Sequence, residues 1–250
     1  MKKLKAAFLF ALAMLPIGAV AAYFTILYQI DFVDAATLEL TVSQLGSIDG
    51  LIAVYILQIG VYTLFCSFIG YILASKLGLM KPIRFEKGKI LPTLVLSLIV
   101  GGILSLDYWT FGNLIPGIQE ADAAMLKPHV IAAGVLYGGI VEELMLRLFF
   151  MSFLAWLLWK LFFRKHTQVP TGVLIASNVM ATVLFAAGHL PATVQMFGTL
   201  TPLIVLRCFL LNGCGGLAFG WLYRKYGIQY SMLSHGLCHI ISKGIWLVFI

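Results

Sequence analysis

Two carboxylates and a guanidinium lie inside one long apolar run, in the pattern Glu142-Glu143-x-x-x-Arg147. Charge at membrane depth costs about 2.5–3.5 kcal/mol or more per residue, so such groups are retained for pairing or for chemistry. In an α-helix Glu143 and Arg147 pair on one face, whereas Glu142 projects about 100° away from Glu143. Helix packing alone therefore explains the pair but not Glu142, because a second buried carboxylate adds cost without adding a partner.

Two later apolar runs carry imidazoles. His189 ends the fifth run in the pattern Phe185-x-x-x-His189, and His235-x-x-x-His239 lies on the last run. The spacing of His235 and His239 projects both rings from one helix face, which suits a shared metal ion or a shared water. Each pattern alone is also typical of packed or interfacial histidines.

As a set, these residues bring a carboxylate or an imidazole into lipid on three separate spans. Glu and His together are the usual groups for activating a water, and we expect Glu142, His189 and His235 to meet in one water-filled cavity open to the cytoplasm. Transport and proton relay use the same residue types, so a transporter stays open at this point. Arg207 and Lys243 lie near the outer ends of their spans, where we expect them to snorkel to the interface.

The elements that position these residues follow from composition. Of the 250 residues, 61% are hydrophobic and 11% are charged, against about 45–50% and about 25% in soluble domains. A soluble globule and a disordered chain are therefore excluded, and unbroken apolar runs exclude the alternating strands of a β-barrel. The sequence predicts an all-α, polytopic transmembrane helical bundle of about seven spans, near 6–30, 51–75, 90–106, 129–159, 171–190, 202–223 and 228–249.

The loops between these spans differ in charge. Thirteen of the 17 Lys and Arg residues lie in one alternating set of loops, and Lys127 is the only one in the other set. The positive-inside rule then places the N-terminus in the cytoplasm and the C-terminus outside, in a bacterial cytoplasmic membrane. Topology accounts for the net charge of +7, so no nucleic-acid partner is expected. The outer loop around 107–128 is expected to carry a short interfacial helix.

Two features concern helix packing. Gly134-x-x-x-Gly138 and Gly216-x-x-x-Gly220 predict close approach of helix backbones. At 1.5 Å per residue, Glu142 lies about 25–28 Å from the cytoplasmic end of its span, but His235 only about 10 Å. The two meet if the hairpin of spans four and five protrudes into the cytoplasm by about 10 Å, or if the helices tilt strongly.

The three motifs, in this order on late helices, resemble the signature of the CPBP (Abi) family, which includes type II CAAX prenyl proteases and bacteriocin-processing or bacteriocin-immunity proteins. The resemblance covers about residues 129–245. We therefore divide the chain into three N-terminal helices without a catalytic motif, 1–128, and a catalytic part, 129–250. The last motif of the family often ends in Asn, where this chain has His239.

The resemblance implies hydrolysis of a peptide bond within the membrane. By residue match, Glu142 is the general base that activates water together with His189, and His235 stabilises the oxyanion or completes the water site. Glu143 and Arg147 orient the motif helix. The expected partners are the lipid bilayer and a membrane-anchored peptide or protein, such as a signal-like peptide or a bacteriocin precursor.

Two questions stay open at the level of sequence. Zinc can bind to His189, His235 and His239 with an open position, or the same groups can act as acid, base and oxyanion donors without metal. The family also contains scaffold-like members and immunity proteins. An inactive scaffold is therefore the second hypothesis, and a small-molecule or ion transporter is the third.

Overall fold

All seven predicted apolar runs are helices in the computed structural model, which describes residues 2–250. Each is long and apolar enough to cross a membrane, and no strand occurs in that range. The all-α transmembrane bundle is therefore confirmed, and the chain is an integral membrane protein. Its orientation in the membrane stays a prediction. Spans 1 to 7 are Lys2–Phe32, Ile48–Leu77, Lys87–Asn113, Pro128–Phe162, Thr171–Phe197, Pro202–Tyr226 and Ile228–Phe249.

Two short helices lie on the connections between spans. Ile118–Ala124 confirms the short helix that was expected between spans 3 and 4. Ala35–Leu45 was not predicted; the Asp34 side chain caps it by accepting a hydrogen bond from the Thr37 N–H at 2.9 Å. Such an N-cap satisfies one of the free N–H groups of the first turn.

Span 4 occupies the centre of the bundle and packs against spans 1, 2, 5, 6 and 7. Span 1 packs chiefly on span 2, span 3 on span 7, and span 5 on span 6. The span that carries both glutamates therefore reaches the N-terminal and the C-terminal helices alike. The division of function at residue 128 stays a prediction.

The middle of span 4 is a π-helix rather than an α-helix. It is α-helical over Pro128–Ala133, π-helical over Gly134–Glu142 and Leu144–Met151, and α-helical again over Ser152–Phe162. The angular spacing assumed for an α-helix was therefore wrong for this motif. π-Helical turns hydrogen-bond from i to i+5, are rare, and frequently occur at functional sites.

Span 4 also extends beyond the end of span 6. Ser152 and Tyr223, near the end of span 6, have hydroxyl oxygens 2.7 Å apart. The ten residues after Ser152 continue for about 15 Å at 1.5 Å per residue, and they pack with the start of span 5. Span 4 therefore continues past the end of span 6, which allows Glu142 to lie level with His235. That the hairpin of spans 4 and 5 protrudes into the cytoplasm stays a prediction.

Arg207 does not snorkel, and that expectation was wrong. Its Nε lies 2.9 Å from both carboxylate oxygens of Asp107, and its Nη2 lies 3.8 Å from Oδ1 of Asp122. The arginine side chain is 14% exposed, and both carboxylates are nearly fully buried. Lys243 likewise packs inward, with Nζ 4.9 Å from the ring centroid of Trp246. Asp107 near the end of span 3 and Asp122 on the short helix Ile118–Ala124 turn toward Arg207, which no local pattern indicates.

Candidate active site

Glycines allow span 4 to approach span 7 closely. A Cβ on Gly139 would lie 2.9 Å from the Cα of Gly236, and backbone atoms cannot move aside easily. A Cβ on Gly138 would lie 2.9 Å from Nε2 of His239 and 3.3 Å from Nε2 of His235. The small-residue pattern that ends at Gly138 therefore makes room for the two imidazoles of span 7.

Glu143 is the centre of a buried hydrogen-bond network. Its side chain is fully buried, the Ser231 hydroxyl donates to Oε2, and His235 donates from Nδ1 to Oε1 at 2.9 Å. Arg147 Nε lies 3.4 Å from Oε2, which confirms the predicted pairing. Because an ionised carboxylate only accepts hydrogen bonds, we assign the proton in the histidine bond to Nδ1.

Arg147 is held by charge and by an aromatic face. Its side chain is fully buried, and its Cζ lies 5.7 Å from the centroid of the Phe185 ring. None of its guanidinium nitrogens has a hydrogen-bond partner within residues 2–250. The Glu143 carboxylate is therefore its main counter-charge, and either residue without the other is an uncompensated buried ion.

Glu142 has a different environment from its neighbour. Its side chain is 18% exposed, it makes no hydrogen bond within the described chain, and its Oε2 lies 3.9 Å from Nε2 of His235. The His235 ring stacks on Phe219 at 4.4 Å and on His239 at 5.2 Å between centroids. The site thus presents a free carboxylate beside an imidazole whose position and tautomer are set by other groups.

His189 lies at the junction between the two helical segments of span 5, Thr171–Gly188 and Leu190–Phe197. Its Nδ1 donates to the Phe185 carbonyl at 2.9 Å, so Nε2 is left as a hydrogen-bond acceptor. No hydrogen bond or ion pair in residues 2–250 joins it to Glu142 or His235. Instead Phe185 lies between them, with its centroid 4.5 Å from the His189 ring and 6.4 Å from the His235 ring.

Sequence reasoning missed two contributors to this site. Ser231 lies four residues before His235 on the same face of span 7, a spacing that could have indicated its contact with Glu143. Phe219 on span 6 had no such signal, because an aromatic residue in an apolar run is unremarkable. Asn178, eleven residues before His189 on span 5, donates to the Leu217 carbonyl at 3.1 Å and so joins spans 5 and 6.

The side chains as arranged do not fit a zinc site with three protein ligands. Within residues 2–250 no group of three or more His, Cys, Asp or Glu side chains is close enough to hold a metal ion. Nδ1 of His235 is also engaged by Glu143. The assignment of His189, His235 and His239 as metal ligands therefore stays a prediction, and no step below depends on it.

Comparison with known proteins identifies the family. The model of the type II CAAX prenyl endopeptidase Rce1-like family matches residues 125–241, a range that contains all three motifs. This match supports membership of the CPBP (Abi) family. No curated protein and no solved structure matches it. The matched CPBP region comprises spans 4 to 6 and the first part of span 7, which together build the Glu143 network.

The chain carries His239 where the CPBP (Abi) family often has Asn. The His239 ring stacks on His235, and its Nε2 lies against the position of Gly138. An imidazole there supports the face of His235 opposite Phe219. That His239 also lines the site of the reacting groups stays a prediction.

Proposed function

We propose that the chain is an intramembrane endopeptidase that hydrolyses a peptide bond of a membrane-associated peptide or protein. The main support is the pairing of the free Glu142 carboxylate with Nε2 of His235 at 3.9 Å, while Glu143 holds the other ring nitrogen. A general base needs an accessible lone pair and an oriented partner within direct or one-water reach. Membership of a family described as prenyl endopeptidases supports the same reaction class.

The proposed reaction begins with a water that donates a hydrogen bond to Glu142. As the water oxygen bonds to the peptide carbonyl carbon, its proton passes to the Glu142 carboxylate. The carbonyl oxygen becomes an oxyanion, which His235 in its protonated form stabilises by donating from Nε2. When the C–N bond breaks, Glu142 returns its proton to the leaving amine, so the carboxylate is restored for the next cycle.

Other residues of the motifs have supporting roles in this proposal. Glu143 fixes the orientation of His235 and stabilises its positive charge, while Arg147 compensates the charge of Glu143. His189 is proposed to accept a second hydrogen bond from the attacking water through its free Nε2. Phe185 sets the direction of that ring through its carbonyl and its aromatic face.

The decisive test is Glu142→Gln, which keeps the shape of the side chain and removes the base. In purified protein reconstituted in lipid, peptide cleavage should fall by about 10²–10⁴-fold, the usual contribution of a general base. Glu120→Gln, at an exposed position of the short helix Ile118–Ala124, is the matched control and should keep full activity. Both variants should accumulate to the wild-type level.

The other hypotheses predict different outcomes of the same experiment. A scaffold or immunity protein would keep its full cellular phenotype with Glu142→Gln. A transporter would move a solute across liposomes without producing a cleaved peptide.

The role of a metal is tested separately. Stoichiometric zinc that is lost in His235→Ala would establish a metal-assisted reaction. Full activity in a strong chelator, with no bound metal, would favour the glutamate–histidine mechanism.

A further inference from the structure

Two connections of the bundle meet beside the ends of four spans. Lys81, between spans 2 and 3, donates from Nζ to the Lys225 carbonyl near the end of span 6, at 2.5 Å. A Cβ on Gly227 would lie 3.3 Å from the Cβ of Lys81, so the two backbones are also close together. The connection from span 2 to span 3 and the turn from span 6 to span 7 therefore form one continuous surface, although 144 residues separate Lys81 from Lys225.

Side chains of span 7 fix the connection between spans 2 and 3 in place. Gln229 donates from Nε2 to the carbonyls of Pro82 and Arg84, at 3.0 and 3.1 Å. The Tyr230 hydroxyl donates to the Arg84 carbonyl at 3.3 Å and accepts from the Glu86 N–H at 2.7 Å. These bonds hold a non-helical stretch in one conformation, so a ligand that binds there pays little to order it.

The surface built in this way carries a large excess of positive charge. Six cationic side chains from residues 78–89 and 224–230 form this cationic surface: Lys81, Arg84, Lys87, Lys89, Arg224 and Lys225. The single carboxylate of these two ranges, Glu86, pairs with Arg84 at 3.3 Å and with Lys89 at 2.9 Å. No other carboxylate in residues 2–250 forms an ion pair with any of the six. Burial, and then the charges of three neighbouring cations, lower the pKa of Lys81. Cations crowded in this way favour the binding of an anion.

Exposed apolar side chains accompany these charges. Ile83 and Phe85, on either side of Arg84, are 55% and 58% exposed. They lie outside the spans, which end at Leu77 and begin again at Lys87, so hydrocarbon contact along a span does not account for their exposure. Apolar side chains next to cations are typical of protein segments that lie at the boundary between lipid headgroups and acyl chains. A soluble anion would neutralise the charges and leave both apolar side chains in water.

We propose that the cationic surface binds the phosphate groups of anionic phospholipids, with Ile83 and Phe85 inserted where the acyl chains begin. Clusters of about four to eight Lys and Arg residues at the end of a membrane span attract anionic lipids. In this chain two connections bring six such residues together on a backbone that is already fixed. The inference goes beyond the proposed peptidase function, and its test does not depend on peptide cleavage.

The test measures the affinity of the detergent-solubilised protein for phosphatidylglycerol by native mass spectrometry. Phosphatidylcholine is the reference lipid, because it carries a phosphate but no net charge. The triple variant Arg84→Gln/Lys87→Gln/Lys225→Gln removes three exposed cations. It should bind phosphatidylglycerol about 100-fold more weakly than wild type, at about fivefold for each cation, with little change for phosphatidylcholine. Wild type that binds the two lipids equally would contradict the inference.

The matched control removes the same charge elsewhere. Lys160→Gln/Arg164→Gln/Lys165→Gln changes three exposed cations at the end of span 4 and in the connection to span 5. Because these cations are outside the cationic surface, this variant should keep the wild-type affinity for phosphatidylglycerol. An equal loss in both triple variants would show that total charge alone attracts the lipid, which overturns the inference.

Three further measurements separate charge, apolar insertion and the source of the phosphate. Arg84→Lys/Lys87→Arg/Lys225→Arg keeps every charge and should keep the affinity; a loss as large as in the Gln variant would contradict the inference. Ile83→Ser should weaken the binding of both lipids by about 3–10-fold, since it removes an apolar side chain from the acyl region, and an unchanged affinity would exclude insertion. Inorganic phosphate at the concentration of the lipid should not displace it. Displacement would make free phosphate the ligand and overturn the assignment to lipid.

Discussion

Two buried charge networks in this bundle share a composition and differ in outcome. On spans 4 and 7, Glu143 pairs with Arg147, and Glu142 is a carboxylate that makes no hydrogen bond to any group in residues 2–250. At the end of span 3 and on span 6, Asp107 pairs with Arg207. Asp122, on the short helix Ile118–Ala124, has a buried oxygen without a hydrogen-bond partner in residues 2–250. Each network thus neutralises one carboxylate with an arginine and leaves a second one over.

The environment of the remaining carboxylate separates the two networks. Glu142 is 18% exposed and faces an imidazole that is fixed through its other nitrogen. Asp122 is 4% exposed, and its nearest ionic partner is the already paired Arg207 at 3.8 Å. A spare carboxylate is therefore suited to base catalysis only where an oriented partner and access for water accompany it. Elsewhere it becomes a pH-sensitive element of the fold.

The largest expected effect concerns activity. Glu142→Gln should reduce peptide cleavage by about 10²–10⁴-fold, whereas Asp122→Asn should leave kcat within about twofold at pH 7. The rate of cleavage of one peptide substrate is measured for both variants in lipid and compared with that of wild type. If Asp122→Asn inactivates the protein as fully as Glu142→Gln, the two networks are not functionally distinct.

The next effect concerns stability. Arg147→Ala leaves Glu143 charged and fully buried, so the free energy of unfolding should fall by about 3–5 kcal/mol. Glu143→Ala should cost a similar amount, and the double variant should lose less than the sum. Thermal or denaturant unfolding in detergent measures the cycle. Strictly additive losses would mean that the two side chains do not interact.

The network of Asp107, Asp122 and Arg207 should respond to pH. Burial, and then the charge of Asp107, raise the pKa of Asp122 from 3.8 to about 7. Between these values the folded chain holds a proton that the unfolded chain has released, so stability should fall as the pH rises from about 4 to 7 and then level off. The loss attributable to Asp122 is at most about 4 kcal/mol, at 1.36 kcal/mol per pKa unit.

Asp122→Asn cannot ionise and should remove this slope. Its melting temperature should match that of wild type near pH 4 and exceed it near pH 8. Glu120→Gln, an exposed change on the same short helix, should keep the wild-type slope. A wild-type slope in Asp122→Asn would show that another group produces the pH dependence.

The smallest effect should follow Asp107→Ala. Asp122 lies only 3.8 Å from Arg207 and can replace the lost partner, so the expected loss is about 1–2 kcal/mol rather than about 3–5 kcal/mol. Unfolding of Asp107→Ala is compared with that of the Asp107→Ala/Asp122→Asn double variant, which should lose markedly more. A loss from Asp107→Ala as large as that from Glu143→Ala would show that Asp122 does not compensate.

Several features of this protein were predictable because their cause is local. Seven spans follow from apolar runs, since a helix must expose about 20 apolar residues to cross the hydrocarbon core. The Glu143–Arg147 pair follows from its spacing, and it forms even though the helix is π-helical there. The short helix Ile118–Ala124 was likewise expected from its loop.

Other features depend on which helices become neighbours, and only the tertiary structure decided them. His235 meets Glu143 across 92 residues, and Arg207 meets Asp107 across 100. In lipid, apolar surfaces are equally well solvated by neighbouring helices and by acyl chains, so hydropathy specifies that a helix spans but not what it contacts. The contacts are instead selected by close fit at positions such as Gly138 and by the need of each buried charge for a partner, and both are properties of the assembled bundle.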